Sequence, residues 1–279
     1  MNSYIARLFY LGDRYYGSQF QPNLLTVQGE LIDALNQWDI QSETDYSTQT
    51  VQLSGRTDRG VHSIGQIVSI KTERKLNIDK VNRYLPSDIA LWASAVVPAN
   101  FNPRYDVLMR HYRYYFDLDS REVYLQSMRN AVQLLSGTRD FSLFSKPDGD
   151  RPTTTTILNA CLLESDTGLT MDIFGTNFLW KLIRKTVSML IQIGIGEMDM
   201  QTFSNHLNGP GIIPGGIEPA PPECLVLVET AVPIRMTTSK YALSRIRKQL
   251  SVHLNHLRRS TRVVNAISDD YFFHQRSPS

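Results

Sequence analysis

The segment QTVQLSGRTDRGVHSIGQIVSIK (residues 49–71) decides the fold of this chain of 279 residues. Its two ends, Gln49–Leu53 and Gly65–Lys71, carry apolar and β-branched residues and predict two strands. Between them, Gly55 and Gly60 suit a tight loop in which the backbone can approach a ligand closely. The loop holds Asp58 between two arginines, so the segment predicts a strand–loop–strand unit with a carboxylate at its turn.

The elements around this segment extend the pattern. Upstream, Tyr4–Gly12 alternates as a strand does, and an apolar helical face begins at Val27 behind Thr26, a favourable N-cap. Downstream, Ile78–Tyr84 predicts a short helix and Ile89–Val97 another strand. The order β-α-β-β-α-β is typical of the split arrangement of ferredoxin-like units.

The second half repeats this order of elements. Arg110–Asp117 predicts a strand, Ser120–Leu135 a helix, and Ile157–Glu164 with Leu169–Phe174 a hairpin. Phe178–Ile193 predicts a long apolar helix. The remaining predicted elements are a helix at Asp199–Leu207, a loop at Gly209–Pro222 and a strand at Cys224–Val228.

Composition and motifs exclude several classes of protein. The formal net charge of +2 does not by itself indicate nucleic acid. No apolar run reaches the roughly 18 residues of a membrane span, and the first residues do not resemble a signal peptide. Cys161 and Cys224 lie far apart and predict reduced, buried thiols of an intracellular, cytoplasmic protein. Common motifs for nucleotide cofactors and metals are absent, so neither is predicted.

Charge is unevenly distributed near the end of the chain. From Thr230 to Ser268 there is no acidic residue, while eight Lys and Arg residues fall there. This segment is either a phosphate-facing surface or a solvated, loosely ordered tail. Within it, apolar residues from Leu243 to Leu257 step by three and four and predict an amphipathic helix. That helix could offer its basic face to RNA, to a partner protein or to a membrane surface.

The spacing of the Asp58 loop allows two interpretations. One is an ordinary turn whose aspartate satisfies its own backbone while the arginines face solvent. The other is a catalytic loop, because a carboxylate between two cations near a histidine can do chemistry on a bound anion. Spacing alone does not separate them.

Six motifs, in order along the chain, resemble those of the TruA family of tRNA pseudouridine synthases. The central one is the loop Gly55–Gln66, and the others cover residues 4–229 around it. The basic segment after Val232 is closer to the pattern of archaeal members. The flanking motifs are Tyr15-Tyr16-Gly17-x-Gln19-x-Gln21 with Thr26-Val27-Gln28, Leu85-Pro86-x-Asp88-Ile89, Phe101-Asn102-x-Arg104, Arg110-x-Tyr112-Arg113-Tyr114 and Phe178-Leu179-x-x-x-Ile183-Arg184.

The resemblance implies an isomerase that detaches a uracil base of tRNA from its ribose, turns it and rejoins it through carbon 5. The implied targets are positions 38, 39 and/or 40 of the anticodon stem-loop, and no cofactor or metal is implied. Asp58 matches the family's nucleophile and Arg184 its basic partner. Because a nearby cation favours the ionised form of a carboxylate in a water-poor site, an Asp58–Arg184 pair inside the cleft is expected.

The resemblance also implies contacts with the RNA. Tyr112 matches the tyrosine that contacts the target base, on which a flat ring can stack. Arg56 is the candidate to fill the space that the base vacates. The other expected substrate contacts are Arg14, Arg59, Arg104 and Arg110, on the RNA backbone, together with His62 and Gln66.

The implied fold is α+β, with two ferredoxin-like (RRM-like) halves that form one continuous antiparallel sheet around a central catalytic cleft. Residues 1–105 are the catalytic half that carries the Asp58 loop, residues 106–232 the second half, and residues 233–279 a basic extension. A homodimer that binds the anticodon stem-loop of tRNA, without a membrane, is expected.

Two other functions use similar features. A non-catalytic RNA-binding protein of RRM-like units would need no Asp-centred loop, and the chain lacks the RNP1 aromatic motif. A nucleoside hydrolase or glycosidase would want two carboxylates around the scissile bond, whereas the loop offers one. The products of a reaction with tRNA separate the three functions.

Overall fold

The computed structural model describes residues 1–41, 44–149, 152–166, 168–209 and 213–268. The strands within these ranges are β1 (Asn2–Tyr10), β2 (Val51–Leu53), β3 (His62–Thr72), β4 (Ile89–Val97), β5 (Met109–Tyr115), β6 (Gly137–Asp140), β7 (Thr154–Ser165), β8 (Gly168–Gly175), β9 (Leu225–Ala231) and β10 (Thr237–Thr238). The helices are α1 (Val27–Trp38), α2 (Ile78–Val81), α3 (Leu125–Gln133), α4 (Leu182–Gly194), α5 (Met200–Asn208) and α6 (Lys240–Ser268).

The first half is built around β1, which pairs antiparallel with both β3 and β4. Helix α1 begins after Thr26 as predicted, because the Thr26 hydroxyl accepts a hydrogen bond from the backbone N–H of Gly29 at 3.2 Å. The apolar face of α1, including Leu31, packs against Leu8 and Val68 of the sheet, and all three side chains are fully buried. Local sequence pattern and tertiary packing therefore agree in this half.

The second half is built around β5, which pairs antiparallel with β8 and β9. The predicted hairpin is present as β7 and β8. Met128 of α3 and Leu190 of α4 belong to the same buried cluster as Ile173 of β8, so this half has its own apolar core. The predicted α+β class with paired halves is confirmed. The exact division at residues 105 and 232 stays a prediction.

The two halves join in a single sheet of order β10-β4-β1-β3-β9-β5-β8-β7-β6, with β2 paired to β3 beside this path. The junction is a short parallel pairing of β3 with β9, in which His62 lies opposite Val226 and Ser63 opposite Leu227. The sheet is therefore continuous, as predicted, but it is not antiparallel at its centre. The loop that precedes β3 consequently lies at the midline of the sheet.

Several predicted boundaries are corrected. Helix α4 begins at Leu182, because Lys181 adopts a left-handed conformation with φ 65° that an α-helix does not accept. Residues 178–181, predicted as helix, therefore form a turn. Helix α3 begins at Leu125 and α2 is a single turn, both shorter than predicted. In the predicted loop Gly209–Pro222, residues 210–212 lie outside the described residues, as do residues 269–279 of the basic extension.

The cysteines are free thiols, but both are half-buried, where full burial was predicted. The side chain of Cys161 lies on β7 and that of Cys224 just before β9, too far apart in the sheet to be partners. Among the described helices, α6 included, none combines the length and the hydropathy of a membrane span.

Candidate active site

The loop of Asp58 is held from one side by the segment that follows β1. Ser18 N donates to the carbonyl of Thr57 at 3.1 Å, and Thr57 N donates to the Ser18 hydroxyl at 2.8 Å. The buried hydroxyl of Tyr10 lies 2.8 Å from Thr57 Oγ1. Gly17 allows this approach, since a Cβ there would lie 2.9 Å from the Thr57 carbonyl and its φ is +97°. The loop is thus anchored at the residue next to Asp58.

The other side of the loop is braced by two buried polar side chains. Gln66 donates from Nε2 to the carbonyl of Gly55 at 2.8 Å and bonds the Ser54 hydroxyl. Arg110 donates from Nη2 to the carbonyls of Ser54 at 2.6 Å and of Arg104 at 3.1 Å. These bonds satisfy backbone carbonyls that a polar loop would otherwise leave unpaired, so they fix the loop's shape.

The pair expected from the sequence is present. Arg184 donates from Nη1 to Oδ2 of Asp58 at 2.8 Å, and its Nε donates to the carbonyl of Ala220 at 2.6 Å. The two side chains are 13% and 20% exposed, so Arg184 is not the exposed helix charge that its position on an amphipathic helix would permit. Arg184 comes from α4 of the second half and Asp58 from the first half. The pair therefore spans the junction between the halves.

Sequence reasoning missed a second partner of Asp58. The indole Nε1 of Trp180 donates to Oδ1 of Asp58 at 3.0 Å, so both carboxylate oxygens accept a hydrogen bond. Trp180 lies in the turn before α4 and contacts Lys146 twice. The backbone N–H of Lys146 donates to the Trp180 carbonyl, and the Lys146 ammonium lies 4.3 Å from the centroid of the indole ring. Trp180 remains 42% exposed at the cleft. No periodicity in the sequence marks this residue.

Tyr112 lies on β5 behind the Asp58 loop. Its side chain is 5% exposed and its ring meets that of Phe178 edge-on, with centroids 5.1 Å apart. Burial raises the pKa of its phenol far above the ordinary value; the charge of Arg110 acts against this shift and that of Asp58 acts with it. The hydroxyl is therefore neutral at physiological pH and can donate or accept a hydrogen bond.

Four of the predicted RNA-contacting arginines lie at the surface around the cleft. Arg59 lies over the ring of Tyr16, with its guanidinium carbon 4.4 Å from the ring centroid. Arg56 and Arg14 make only long contacts with carboxylates, each at 3.4 Å. Arg104 is also exposed. These side chains can reach a ligand, and their contacts with RNA stay a prediction.

Three other predicted substrate contacts are engaged inside the protein. Arg110 and Gln66 brace the Asp58 loop, and both are almost fully buried. His62 accepts a hydrogen bond at Nδ1 from the backbone N–H of Gly12 at 3.0 Å. Burial lowers the pKa of His62, chiefly because it penalises the charged form. In the structure, therefore, these three residues support the loop.

The arrangement can do carboxylate chemistry on a bound polyanion. Asp58 is fixed in orientation by two donors, its side chain is 20% exposed, and the exposed Arg56 and Arg59 lie on either side of it in the loop. In the part of the chain that the structure describes, no group of three or more His, Cys, Asp or Glu side chains is placed to hold a metal ion.

Comparison with known proteins gives consistent matches. A family model described as tRNA pseudouridine synthase matches residues 131–231. tRNA pseudouridine synthase A of Methanosarcina acetivorans is 39% identical over 224 residues, which cover 80% of this chain and 81% of that protein. The Methanosarcina mazei protein of the same name is 35% identical over 274 residues, covering 96% of this chain and 98% of its own.

A more distant archaeal relative and a solved structure complete the comparison. tRNA pseudouridine synthase A of Methanothermobacter thermautotrophicus is 34% identical over 274 residues, with 96% of each chain covered. Among solved structures, the archaeal box H/ACA sRNP Nop10–Cbf5 complex aligns at a TM-score of 0.35 and 10% identity, over 67% of this chain and 42% of that chain.

Proposed function

The chain belongs to the tRNA pseudouridine synthase A (TruA) family, and we propose that it isomerises uridine to pseudouridine in tRNA with Asp58 as the nucleophile. The observation that carries this proposal is the fixed carboxylate: Asp58 is held at Oδ2 by Arg184 and at Oδ1 by Trp180, at the junction of the two halves. A turn with a self-satisfied aspartate would not need either partner. The proposed targets are positions 38, 39 and/or 40 of the anticodon stem-loop.

The net reaction exchanges two pairs of bonds: C1′–N1 and C5–H break, and C1′–C5 and N1–H form. The glycosidic bond from C1′ to N1 of the uracil breaks with the help of the Asp58 carboxylate, as in glycosidases that use a carboxylate at the anomeric carbon. The base turns, C1′ bonds to C5, the proton on C5 leaves to solvent, and N1 gains a proton. Atoms and electrons balance without an oxidant or reductant, and the proposal, like the family resemblance, includes no cofactor and no metal.

Each partner of Asp58 has a role in this scheme. Arg184, whose side chain is only 13% exposed, would hold Oδ2 of Asp58 in place for attack. Trp180 fixes the plane of the carboxylate through its indole N–H. Tyr112, buried behind the loop with its ring edge-on to Phe178, would supply a neutral polar hydroxyl near the base.

The exposed arginines are assigned to the RNA backbone. Arg14, Arg59 and Arg104 would position the stem without specifying sequence. Arg56 is exposed at the mouth of the cleft and would occupy the space that the extruded nucleotide leaves. The division into a catalytic half (residues 1–105), a second half (106–232) and a basic extension, together with a homodimer, completes the proposal.

The test uses transcribed tRNA that carries tritium at C5 of uridine, since pseudouridine formation releases that tritium to water. Wild-type protein should release it, and Asp58→Asn should release none while its tRNA Kd stays within about twofold. Asp33→Asn, an exposed aspartate on α1, is the matched control and should react as the wild type does. An active Asp58→Asn enzyme would refute the role of the carboxylate.

Product analysis separates the alternative functions and the target positions. A non-catalytic binder gives no new nucleoside, a hydrolase gives free uracil, and a synthase gives pseudouridine that remains in the chain. Transcripts in which only one of the uridines at positions 38, 39 and 40 is kept would assign the positions. Sedimentation of the free protein would give its oligomeric state.

A further inference from the structure

Helix α6 packs against the body most closely at its start. Ala242 is fully buried, and Ile246 packs with Phe9 and Ala90 beside the outer strands of the first half. Arg245 donates from Nη2 to the carbonyls of Leu85 and Pro86, both at 2.7 Å. These contacts lie within the first two turns and fix the direction in which the rest of α6 leaves the body.

Further along, α6 passes the segment that follows β1, which also holds the Asp58 loop. His253 lies with Nε2 3.8 Å from Oδ2 of Asp13, and the neighbouring residue, Gly12, bonds His62 at the start of β3. After His253 the helix residues are exposed, except for the half-buried Ser260. From His253 to Ser268 the helix extends roughly 22 Å at about 1.5 Å per residue. It therefore projects into solvent from beside the start of β3, next to the Asp58 loop.

One face of this projecting helix carries concentrated positive charge. Neither α6 nor the segment from Ala231 that leads into it contains an acidic residue. At 100° per residue, one arc of the helix collects the basic side chains and another collects the apolar ones. The basic arc holds Lys240, Arg247, Lys248, Arg258, Arg259 and Arg262, all of them exposed.

The apolar arc continues past the buried residues without being covered. Leu250, Leu254, Leu257 and Val264 follow the line of Ile246, and they are 41%, 47%, 48% and 59% exposed. A second copy of α6 could cover them, but it would bring two acid-free, basic helices together at short range. Like charges at short range oppose such a pair, whereas a polyanion is attracted to every residue of the basic arc.

We propose that α6 is a tRNA-binding arm, whose basic arc contacts the phosphate backbone of the substrate outside the uridine-binding cleft. The proposal rests on the proposed function, because that function places a tRNA in the cleft beside which α6 projects. The arm adds affinity and salt sensitivity and reads no sequence. The proposed RNA contacts of this chain then form two sets. One set is Arg14, Arg56, Arg59 and Arg104 around the Asp58 loop, and the other is the basic arc of α6.

The test variant is Arg258→Gln, Arg259→Gln and Arg262→Gln together, because these three residues are exposed and far from the packed turns of α6. Binding of full-length tRNA is measured across a range of salt concentrations. We expect Kd at about 0.1 M salt to rise at least tenfold, and the slope of log Kd against log salt to fall by about 1 for each phosphate that the variant no longer neutralises. Circular dichroism checks that the helix is retained.

Two control proteins make the result specific. Replacing Lys75, Arg121 and Arg129 by Gln removes three positive charges that lie outside α6, and tRNA binding should then stay within about twofold of the wild type. Replacing Leu250, Leu254 and Leu257 by Gln removes the apolar arc and leaves the charges. If this second variant alters the oligomeric state while the arginine variant binds tRNA normally, α6 is an interface between copies and the proposal is wrong.

The outcome is separable from that of the proposed function. Tritium release by the wild-type protein decides whether the chain is a synthase, and the binding comparison decides whether α6 contacts RNA. An inactive wild-type protein whose arginine variant still binds tRNA more weakly would refute the synthase and support the arm. Equal Kd and equal salt slope for wild type and arginine variant would refute the arm alone.

Discussion

Trp180 and Arg184 hold the two oxygens of one carboxylate: the indole Nε1–H donates to Oδ1 of Asp58 at 3.0 Å and the guanidinium to Oδ2 at 2.8 Å. The two donors approach from the turn before α4 and from α4 itself. A carboxylate held at both oxygens cannot rotate freely about its last bond, so its orientation is fixed. Trp180 reaches this position because Lys181 is left-handed and delays the start of α4.

Replacing Trp180 by Phe keeps an aromatic ring and removes the N–H donor. A hydrogen bond to a charged group contributes about 1.5–3 kcal/mol, which corresponds to a fall in kcat of about 10–100-fold if the bond serves orientation. The tRNA Kd should stay within about twofold, since Asp58 does not carry the binding. Single-turnover tritium release measures the rate. Wild-type kcat in Trp180→Phe would show that Arg184 alone orients the carboxylate.

Arg184 makes two contacts that a lysine cannot reproduce together, one to Asp58 and one to the carbonyl of Ala220. We expect Arg184→Lys to keep part of the activity and Arg184→Gln to lower the single-turnover rate by about 10²–10³-fold, because the latter leaves a carboxylate without its cation. Thermal unfolding checks that both variants fold. A rate for Arg184→Gln within threefold of the wild type would contradict the assigned role.

His62 makes stability depend on pH in a direction that can be worked out. Its Nδ1 accepts the N–H of Gly12, which requires an unprotonated nitrogen, and burial lowers its pKa below 6.5. The unfolded chain then binds the proton more readily than the folded chain, so stability falls as pH falls below about 6.5. Asp13, Glu223 and His253 also face this imidazole; Asp13 and Glu223 act against the shift, whereas His253 acts with it.

The matched variant is His62→Asn, whose side-chain oxygen can take the place of Nδ1 but does not titrate. Urea unfolding at pH 7.5 and pH 5.0 should show a larger loss of unfolding free energy for the wild type than for His62→Asn. The chain has six histidines, so only the difference between the two proteins reports on His62. Equal losses in both would show that protonation of His62 is not coupled to folding.

The sequence predicts local structure in this protein better than it predicts the site. Thr26 and the helix behind it follow from short-range hydrogen bonding and periodicity, and both are confirmed. The Asp58–Arg184 pair joins residues 126 positions apart, so only the resemblance to a family could predict it. Trp180 could not be predicted, because the apolar spacing of Phe178 and Leu179 fits the helix that Lys181 interrupts.

The parallel junction between the halves likewise depends on long-range geometry. Period-two alternation identifies β3 and β9 as strands but does not state which strands lie side by side. A polar cluster across β5 and β8 illustrates the same limit, because no local pattern indicates it. In this cluster the Asp172 carboxylate lies 2.8 Å from Nε2 of His111 and 2.7 Å from Nη2 of Arg113. Register and neighbour choice are properties of the folded sheet.

Gly65 tests how far the site depends on that junction. A Cβ on Gly65 would lie 2.2 Å from the carbonyl oxygen of Val228 and 2.6 Å from Glu229 Cα, both backbone atoms of β9 that cannot move aside alone. Gly65→Ala should therefore force β3 and β9 apart and lower the unfolding free energy by about 1–3 kcal/mol. Because Asp58 and Arg184 approach from opposite halves, the same change should also lower the rate of tritium release.

Gly55→Ala is the steric control, since a Cβ there meets only the Arg110 side chain at 3.5 Å. The unfolding free energy of Gly55→Ala should stay within about 1 kcal/mol of the wild type. A Gly65→Ala protein as stable and active as the wild type would mean that the short parallel pairing does not set the distance between the two halves of the site.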